Sequence, residues 1–184
     1  MPKEMKKLIL EKNISCGAKL LLSGGERCNV TNSDIDFERD YVGQNIKSLP
    51  SIFHKFDNQD MLQFLHQHGI ETVVETHGRV MLKSGKARQL LNLLLKLADE
   101  NNVEIKNEQH VESVKEEKGE FKIETNDAEY ACKKLIIATG GKSYPQVGAT
   151  SFVYDIAQQF DISCFSPYPC LCGIETVQDM SGVT

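Results

Sequence analysis

The periodicity of residues 86–101 constrains the fold more than any other feature of this chain. Ala87, Leu90, Leu91, Leu94, Leu95 and Ala98 recur at i, i+3, i+4 and i+7, while Lys86, Arg88, Gln89, Asn92 and Lys96 fill the opposite side. That spacing predicts an amphipathic helix, capped by Ser84, whose leucine stripe has to be covered by other elements. Short strand candidates follow at once, at residues 103–105, 110–115, 121–124 and 128–132. The turns Lys118-Gly119 and Asn126-Asp127 between them predict an antiparallel meander. Leu135-Ile136-Ile137-Ala138 is apolar without alternation, as expected of a strand buried on both faces of a central sheet. Helix, meander and buried strand together define an α/β chain.

Ahead of the helix, residues 6–12 read as a short strand, Leu8-Ile9-Leu10, that ends in Glu11. A carboxylate at the end of a parallel strand can hydrogen-bond the ribose of a nucleotide. A surface glutamate beside two lysines is the alternative. Residues 13–19 form a turn around Gly17, and Leu20-Leu21-Leu22 is expected as a strand or tight turn giving way to a loop. That loop is Ser23-Gly24-Gly25-Glu26-Arg27-Cys28-Asn29-Val30-Thr31-Asn32. Its paired glycines admit positive φ and close approach, and its polar side chains are dense, so it faces a ligand or is an ordinary polar turn. Residues 34–42 read as acidic and irregular. A helix starts near Leu49 with Pro50 in its first turn, and Asp57 caps a second over residues 58–68, closed by Gly69. His66 and His68 fall on different faces of that helix and read as solvent-facing. Residues 70–75 and 79–82 suit a hairpin, residues 151–160 a last helix, and residues 166–170 an extended segment.

With 184 residues, there is room for one domain or for one and part of a second. Hydrophobic content of 40%, charged content of 26% and mean hydropathy of -0.33 are those of a soluble globular protein. Neither a membrane-spanning run nor a signal-peptide core is evident, so the expected location is cytoplasmic and no membrane partner is expected. A net charge of -5 without a basic cluster argues against a nucleic-acid partner. The 6 cysteines include no Cys-x-x-Cys pair and read as buried residues or free thiols, with no metal site.

The strand ending in Glu11, the glycine loop and the run ending in Ala138-Thr139-Gly140-Gly141 stand in an order that resembles the flavin domain of two-dinucleotide-binding flavoproteins. Residues 19–32 and 135–145 are similar to the two signatures of the bacterial YhiN/BaiN-like FAD-dependent oxidoreductases. Gly78-Arg79-Val80 and the Ser84-x-Lys86-Ala87 start of the long helix also match. The likeness spans about residues 6–162. It implies an FAD cofactor, NAD(P)H as a possible electron source, and a small-molecule substrate that the sequence does not identify. Glu11, with Lys12 beside it, would bind the adenosine ribose. Ser23, Gly24, Gly25, Arg27, Cys28 and Asn29 would line the diphosphate and flavin. Val111 would meet adenine through its main chain, and Ala138, Thr139, Gly140 and Gly141 would pass close under the cofactor. Lys142, Ser143 and Tyr144 would lie on the substrate side, Tyr144 either as a packing residue or as a proton donor. No catalytic residue is assigned.

Departures from the family pattern qualify that expectation. None of the 13 glycines forms a Gly-x-Gly, so the phosphate-binding first strand and helix of the flavin domain are not found. The expectation is an incomplete Rossmann-like FAD-binding domain over residues 1–165, truncated at both ends, with residues 166–184 opening an inserted substrate domain. Glu26 stands where the signature has glycine, and Ser151-Phe152-Val153-Tyr154 stands where it has Gly-Asp-Gly-Tyr. Three functions remain open: part of an FAD-dependent oxidoreductase, a non-catalytic remnant or half of a split flavoprotein completed by a partner chain, and a thiol redox protein using Cys28 with its pKa lowered by Arg27.

Overall fold

A computed structural model describes residues 5–43 and 46–168. The chain divides into two compact units, Met1–Lys134 and Leu135–Thr184.

In the first unit the expected strand forms as β1 (Lys7–Leu10). Leu20-Leu21-Leu22, expected as strand or tight turn, instead belongs to a short helix, α1 (Ala18–Leu22). Lysine and leucine lose little side-chain freedom in a helix, and this one lets Leu20 and Leu21 pack on the core. Gly17 precedes it at φ 87, and a Cβ there would lie 2.6 Å from Leu91 Cδ1. The second half of the glycine segment is not loop but strand, β2 (Asn29–Asn32). Residues 34–42, expected to be irregular, contain α2 (Phe37–Asp40), because the Asp36 carboxylate accepts from the N–H groups of Glu38 and Arg39 at 2.9 and 2.8 Å. The Asp40 carboxyl is held down to about 2 by hydrogen bonding to Arg39.

Helix α3 (Leu49–Phe53) carries Pro50 in its first turn, as expected. Helix α4 (Asn58–Gln67) begins in a reciprocal box: Asp60 N–H donates to Asp57 Oδ1 and Asp57 N–H to Asp60 Oδ2, each at 2.9 Å. Strands β3 (Thr72–Val74) and β4 (Arg79–Leu82) make the expected hairpin, and β2 pairs with the other edge of β4, giving an antiparallel sheet of order β2-β4-β3. The long helix is α5 (Ala87–Glu100). Ser84 is not its cap. Lys86 holds that position without a side-chain bond, and the first helical N–H, of Ala87, donates to Glu26 O at 2.9 Å. The buried centre is Cys28, Leu65, Ile70, Leu82, Ala87 and Leu90, all under 5% exposed. Full burial of such a side chain contributes about 1.5–3 kcal/mol for the larger aliphatics.

Residues 103–105 were expected to open the meander, but β5 (Val103–Lys106) pairs parallel with β1, Lys7 opposite Val103 and Leu10 opposite Lys106. The meander proper is β6 (Val111–Glu117), β7 (Glu120–Thr125) and β8 (Glu129–Cys132), antiparallel in sequence order.

In the second unit, residues 135–138 form no strand, and Ile136 is 69% exposed. Without a neighbouring strand among the described residues the run has no ladder, so the expected central strand is not observed. A 3-10 turn (Pro145–Val147) precedes α6 (Phe152–Gln159), which buries Ile156 and Ala157 as its spacing predicts. Cys170, Cys172 and part of the extended segment at residues 166–170 lie outside the described residues.

Candidate functional site

Within the first unit the parallel pair β1 and β5 ends on one side in Leu10 and Lys106, and ligands of parallel α/β sheets bind beyond such carboxyl ends. Two chain segments are laced together there. Glu11 N–H donates to Lys106 O at 2.9 Å, Glu108 N–H to Asn13 O at 3.0 Å, and Gln109 N–H to Glu11 O at 2.9 Å. The Glu11 carboxylate is held in turn, with Asn13 N–H donating to Oε1 at 2.8 Å. Glu11 and Lys12 are both half-buried, so Glu11 is an oriented group and not a free surface carboxylate. Its second oxygen can accept a hydrogen bond from a ribose hydroxyl.

Val111 begins β6, two residues beyond Gln109. It stands opposite Thr125, whose N–H donates away from β6, to Ala128 O at 2.9 Å. In an antiparallel pair one residue's N–H and C=O share a side, so Val111–Thr125 is a non-hydrogen-bonded pair. The N–H and C=O of Val111 therefore point to the outer edge of β6, which no other strand among the described residues covers. This is the geometry that main-chain recognition of a planar base requires.

The glycine loop is closed by Cys28 N–H donating to Ser23 O at 2.9 Å. Between those ends Gly24, Gly25 and Glu26 take φ values of 58, 65 and 68, and Cys28 follows at 63. Glu26 thus adopts the left-handed backbone that glycine favours at the position where it departs from the signature. Each residue is used differently. A Cβ on Gly24 would lie 2.7 Å from Asn29 N and 2.8 Å from Met81 Cε, whereas one on Gly25 would meet nothing within 4 Å. The N–H groups of Gly24, Gly25, Glu26 and Arg27 have no acceptor among the described residues, and all four residues are exposed. Successive free N–H groups fit an anion such as a diphosphate. The Glu26 carboxylate opposes it.

Arg27 does not lie loose in this loop. Its guanidinium pairs with both carboxylate oxygens of Glu75 at the end of β3, and Arg79 Nη2 approaches the same carboxylate at 3.7 Å. Arg27 hydrogen bonding holds the Glu75 carboxyl below the usual range, and the same bond raises Arg27. Nothing in the sequence marked Glu75 as this partner, since 48 positions separate the two residues. Ser23 Oγ donates to Leu20 O at 2.7 Å, and Asn29 begins β2 opposite Met81.

Cys28 is corrected by the structure. Its side chain is 1% exposed inside the core, so only its main chain belongs to the loop, and the thiol cannot line a ligand. Burial pushes that thiol up, against a smaller opposing effect of the Ser23 hydrogen bond. A thiol redox role with Arg27 lowering the pKa is excluded on the same grounds, because the guanidinium is engaged by Glu75. No three metal-ligating side chains cluster among the described residues, and His68 Nδ1 lies 2.8 Å from Phe64 O on an exposed helix end.

In the second unit Ala138, Thr139 and Gly140 are exposed, Gly140 at φ 73, and a Cβ on half-buried Gly141 would lie 3.4 Å from Tyr154 Oη. Lys142 Nζ sits 5.4 Å from the centre of the Tyr154 ring. Ser143 is exposed. Tyr144 is 56% exposed at φ 63, so the packing role expected of it is not observed.

The two halves of this geometry, a parallel strand end with a held carboxylate and a glycine loop with free main-chain donors, define a Rossmann-like nucleotide-binding domain. Residues 2–180 match the HI0933-like protein Rossmann domain, and the chain belongs to that family of FAD-binding Rossmann domains. It is 33% identical over 156 residues to the ribosomal RNA dihydrouridine synthase of Escherichia coli, covering 85% of this chain and 38% of that protein. The Haemophilus influenzae protein of the same name is 32% identical over 163 residues, covering 86% and 40%. A 3-dehydro-bile acid delta(4,6)-reductase of Clostridium scindens is 26% identical over 163 residues, covering 89% and 39%. The chain thus spans about two-fifths of the length of the curated relatives it matches. No helix among the described residues is long and apolar enough to cross a membrane.

Proposed function

We propose that this chain supplies the FAD-binding part of an oxidoreductase that saturates a carbon–carbon double bond conjugated with a carbonyl. The names of the relatives motivate the reaction class. Dihydrouridine is uridine with its ring double bond saturated beside a carbonyl, and a 3-dehydro-bile acid carries its 3-oxo group next to the 4,6-unsaturation. Bound FAD would supply hydride transfer, and NAD(P)H is the electron donor we assign. The protein's own residues would bind and orient. The N–H groups of residues 24–27 would hold the diphosphate, Glu11 the ribose, and the outer main chain of Val111 the adenine. Ala138 to Gly141 would pass beside the cofactor, with Lys142, Ser143 and Tyr144 toward the substrate and residues 166–184 opening a substrate domain. A net charge of -5 favours a small conjugated carbonyl compound over an RNA.

The loop at residues 23–28 carries the reading, because free donors and left-handed glycines coincide with the family signature. Titration of the purified chain with FAD tests it. A 1:1 yellow complex with a raised melting temperature is expected. A colourless protein whose melting temperature responds to neither FAD nor ADP would overturn it.

A second reading is favoured by one observation: β1 and β5 form a two-stranded parallel sheet in which Leu8 and Ile9 are 39% and 44% exposed. Parallel sheets are ordinarily covered on both faces. Half of a split flavoprotein completed by a partner chain would cover them, and FAD binding would then need that chain.

A further inference from the structure

We propose that Gln109, to which no role has been given, is a positioning residue that sets the distance between the two ends of the adenosine site. The inference rests on the cofactor reading above. Gln109 is one of two buried polar residues among those described, 8% exposed, with Thr125 the other at 6%. Its main chain donates to Glu11 O at 2.9 Å, which fixes it to the end of β1. Its side chain reaches the opposite way, into the meander. Oε1 accepts from Tyr130 Oη at 2.9 Å and lies 3.1 Å from Thr125 Oγ1, and Nε2 reaches Asp127 Oδ2 at 3.5 Å. Thr125 is the residue opposite Val111.

One residue, through its main-chain N–H on one side and its side-chain amide on the other, therefore joins Glu11, the ribose ligand of the cofactor reading, to the strand whose register turns Val111 outward. A buried amide with all these partners specifies one arrangement, and an apolar side chain of similar shape would leave the Tyr130 hydroxyl without its acceptor. If adenosine is held between Glu11 and Val111, its affinity depends on this bridge, whereas anion binding by residues 24–27 does not.

The experiment titrates AMP and, separately, inorganic pyrophosphate against the full chain and its Gln109→Met variant, following heat of binding. The AMP dissociation constant is expected to rise about tenfold, the scale of one net hydrogen bond, while that of pyrophosphate stays within about twofold. Without ligand, the main-chain amide proton of residue 109, which bonds Glu11 O, should exchange faster in the variant. Tyr130→Phe, which removes one donor and keeps the ring, gives a smaller AMP loss with the same selectivity and serves if Gln109→Met does not fold. Unchanged AMP affinity in folded variants overturns the proposal, as does an equal loss for AMP and pyrophosphate. A wild-type chain that binds pyrophosphate but not AMP, or binds neither, overturns the cofactor reading itself and this inference with it.

Discussion

Gly24 and Gly25 are neighbours with nearly the same backbone, φ 58 and 65, yet their surroundings differ completely. Replacing each with alanine separates two effects that are usually confounded. A left-handed L-residue costs about 1–2 kcal/mol, and the alanine recovers about 0.4–1 kcal/mol by restricting the unfolded chain. Gly25→Ala, with open space around its Cβ, should therefore lose only about 0.5–1 kcal/mol. Gly24→Ala has the same conformational term plus a clash with the backbone at Asn29 N, at 2.7 Å, and with the methyl of buried Met81 at 2.8 Å. Overpacking of this kind adds about 1–3 kcal/mol, for a total of about 2–4 kcal/mol. In a chain of this size each kcal/mol lowers the melting temperature by about 2–4 °C. Glu26→Gly runs the same argument in reverse and should be neutral or stabilising by up to about 1 kcal/mol. Urea titration of the three variants, read by far-ultraviolet circular dichroism, gives the order directly. If Gly24→Ala is no worse than Gly25→Ala, the packing of the loop against β2 and β4 is not as described and the reasoning fails.

Two further outcomes follow from the ionisation and burial of named groups. The folded Glu75 carboxyl titrates below its unfolded value, so its stabilisation is complete above the ordinary glutamate range and disappears as pH falls through the folded value. The melting temperature of wild type should thus exceed that of Glu75→Gln at neutral pH, the gap closing on acidification below about pH 4. A gap that persists at pH 2 would show that the Arg27–Glu75 pair is not its source. Thiol reactivity should follow exposure: among the described thiols, Cys164 is modified first, Cys16 and Cys132 more slowly, and Cys28 only on unfolding. Rapid modification of Cys28 in the folded chain would contradict its place in the core.

Local signals in the sequence located most elements of the first unit. The leucine spacing of α5, the Asp57 cap of α4 and the Asn126-Asp127 turn each follow from chemistry within a few residues, and each is where the sequence places it. Pairing across long separations was not legible. Residues 103–105 carry the same short apolar pattern as a meander strand, and only β1, far earlier in the chain, makes them half of a parallel pair. Leu135 to Ala138 failed for the complementary reason, because an apolar run becomes a strand only beside a partner. In the candidate site, Glu11 and the glycines were visible as residue types. The Arg27–Glu75 pair and the Gln109 bridge were not, since both join residues that only tertiary structure brings together. The burial of Cys28 was equally hidden, because a cysteine between arginine and asparagine gives no local sign of facing inward.

The parallel pairing of β1 with β5 also bears on the order of events during synthesis. Lys7 and Val103 are partners about 100 residues apart, a closure that shorter-range pairings do not have to make. The hairpin of β3 and β4 and the meander can form as soon as their own residues emerge. Strand β1 waits for a neighbour made much later. At about 5–20 residues per second the ribosome leaves Leu8 and Ile9 without their partner strand for roughly 5–20 s. The lacing of Glu11 to Lys106 and Gln109 has to wait equally long, so the carboxylate end of the candidate site is completed after the β2-β4-β3 sheet, whose residues all precede β5, and ahead of the meander, whose residues all follow Gln109.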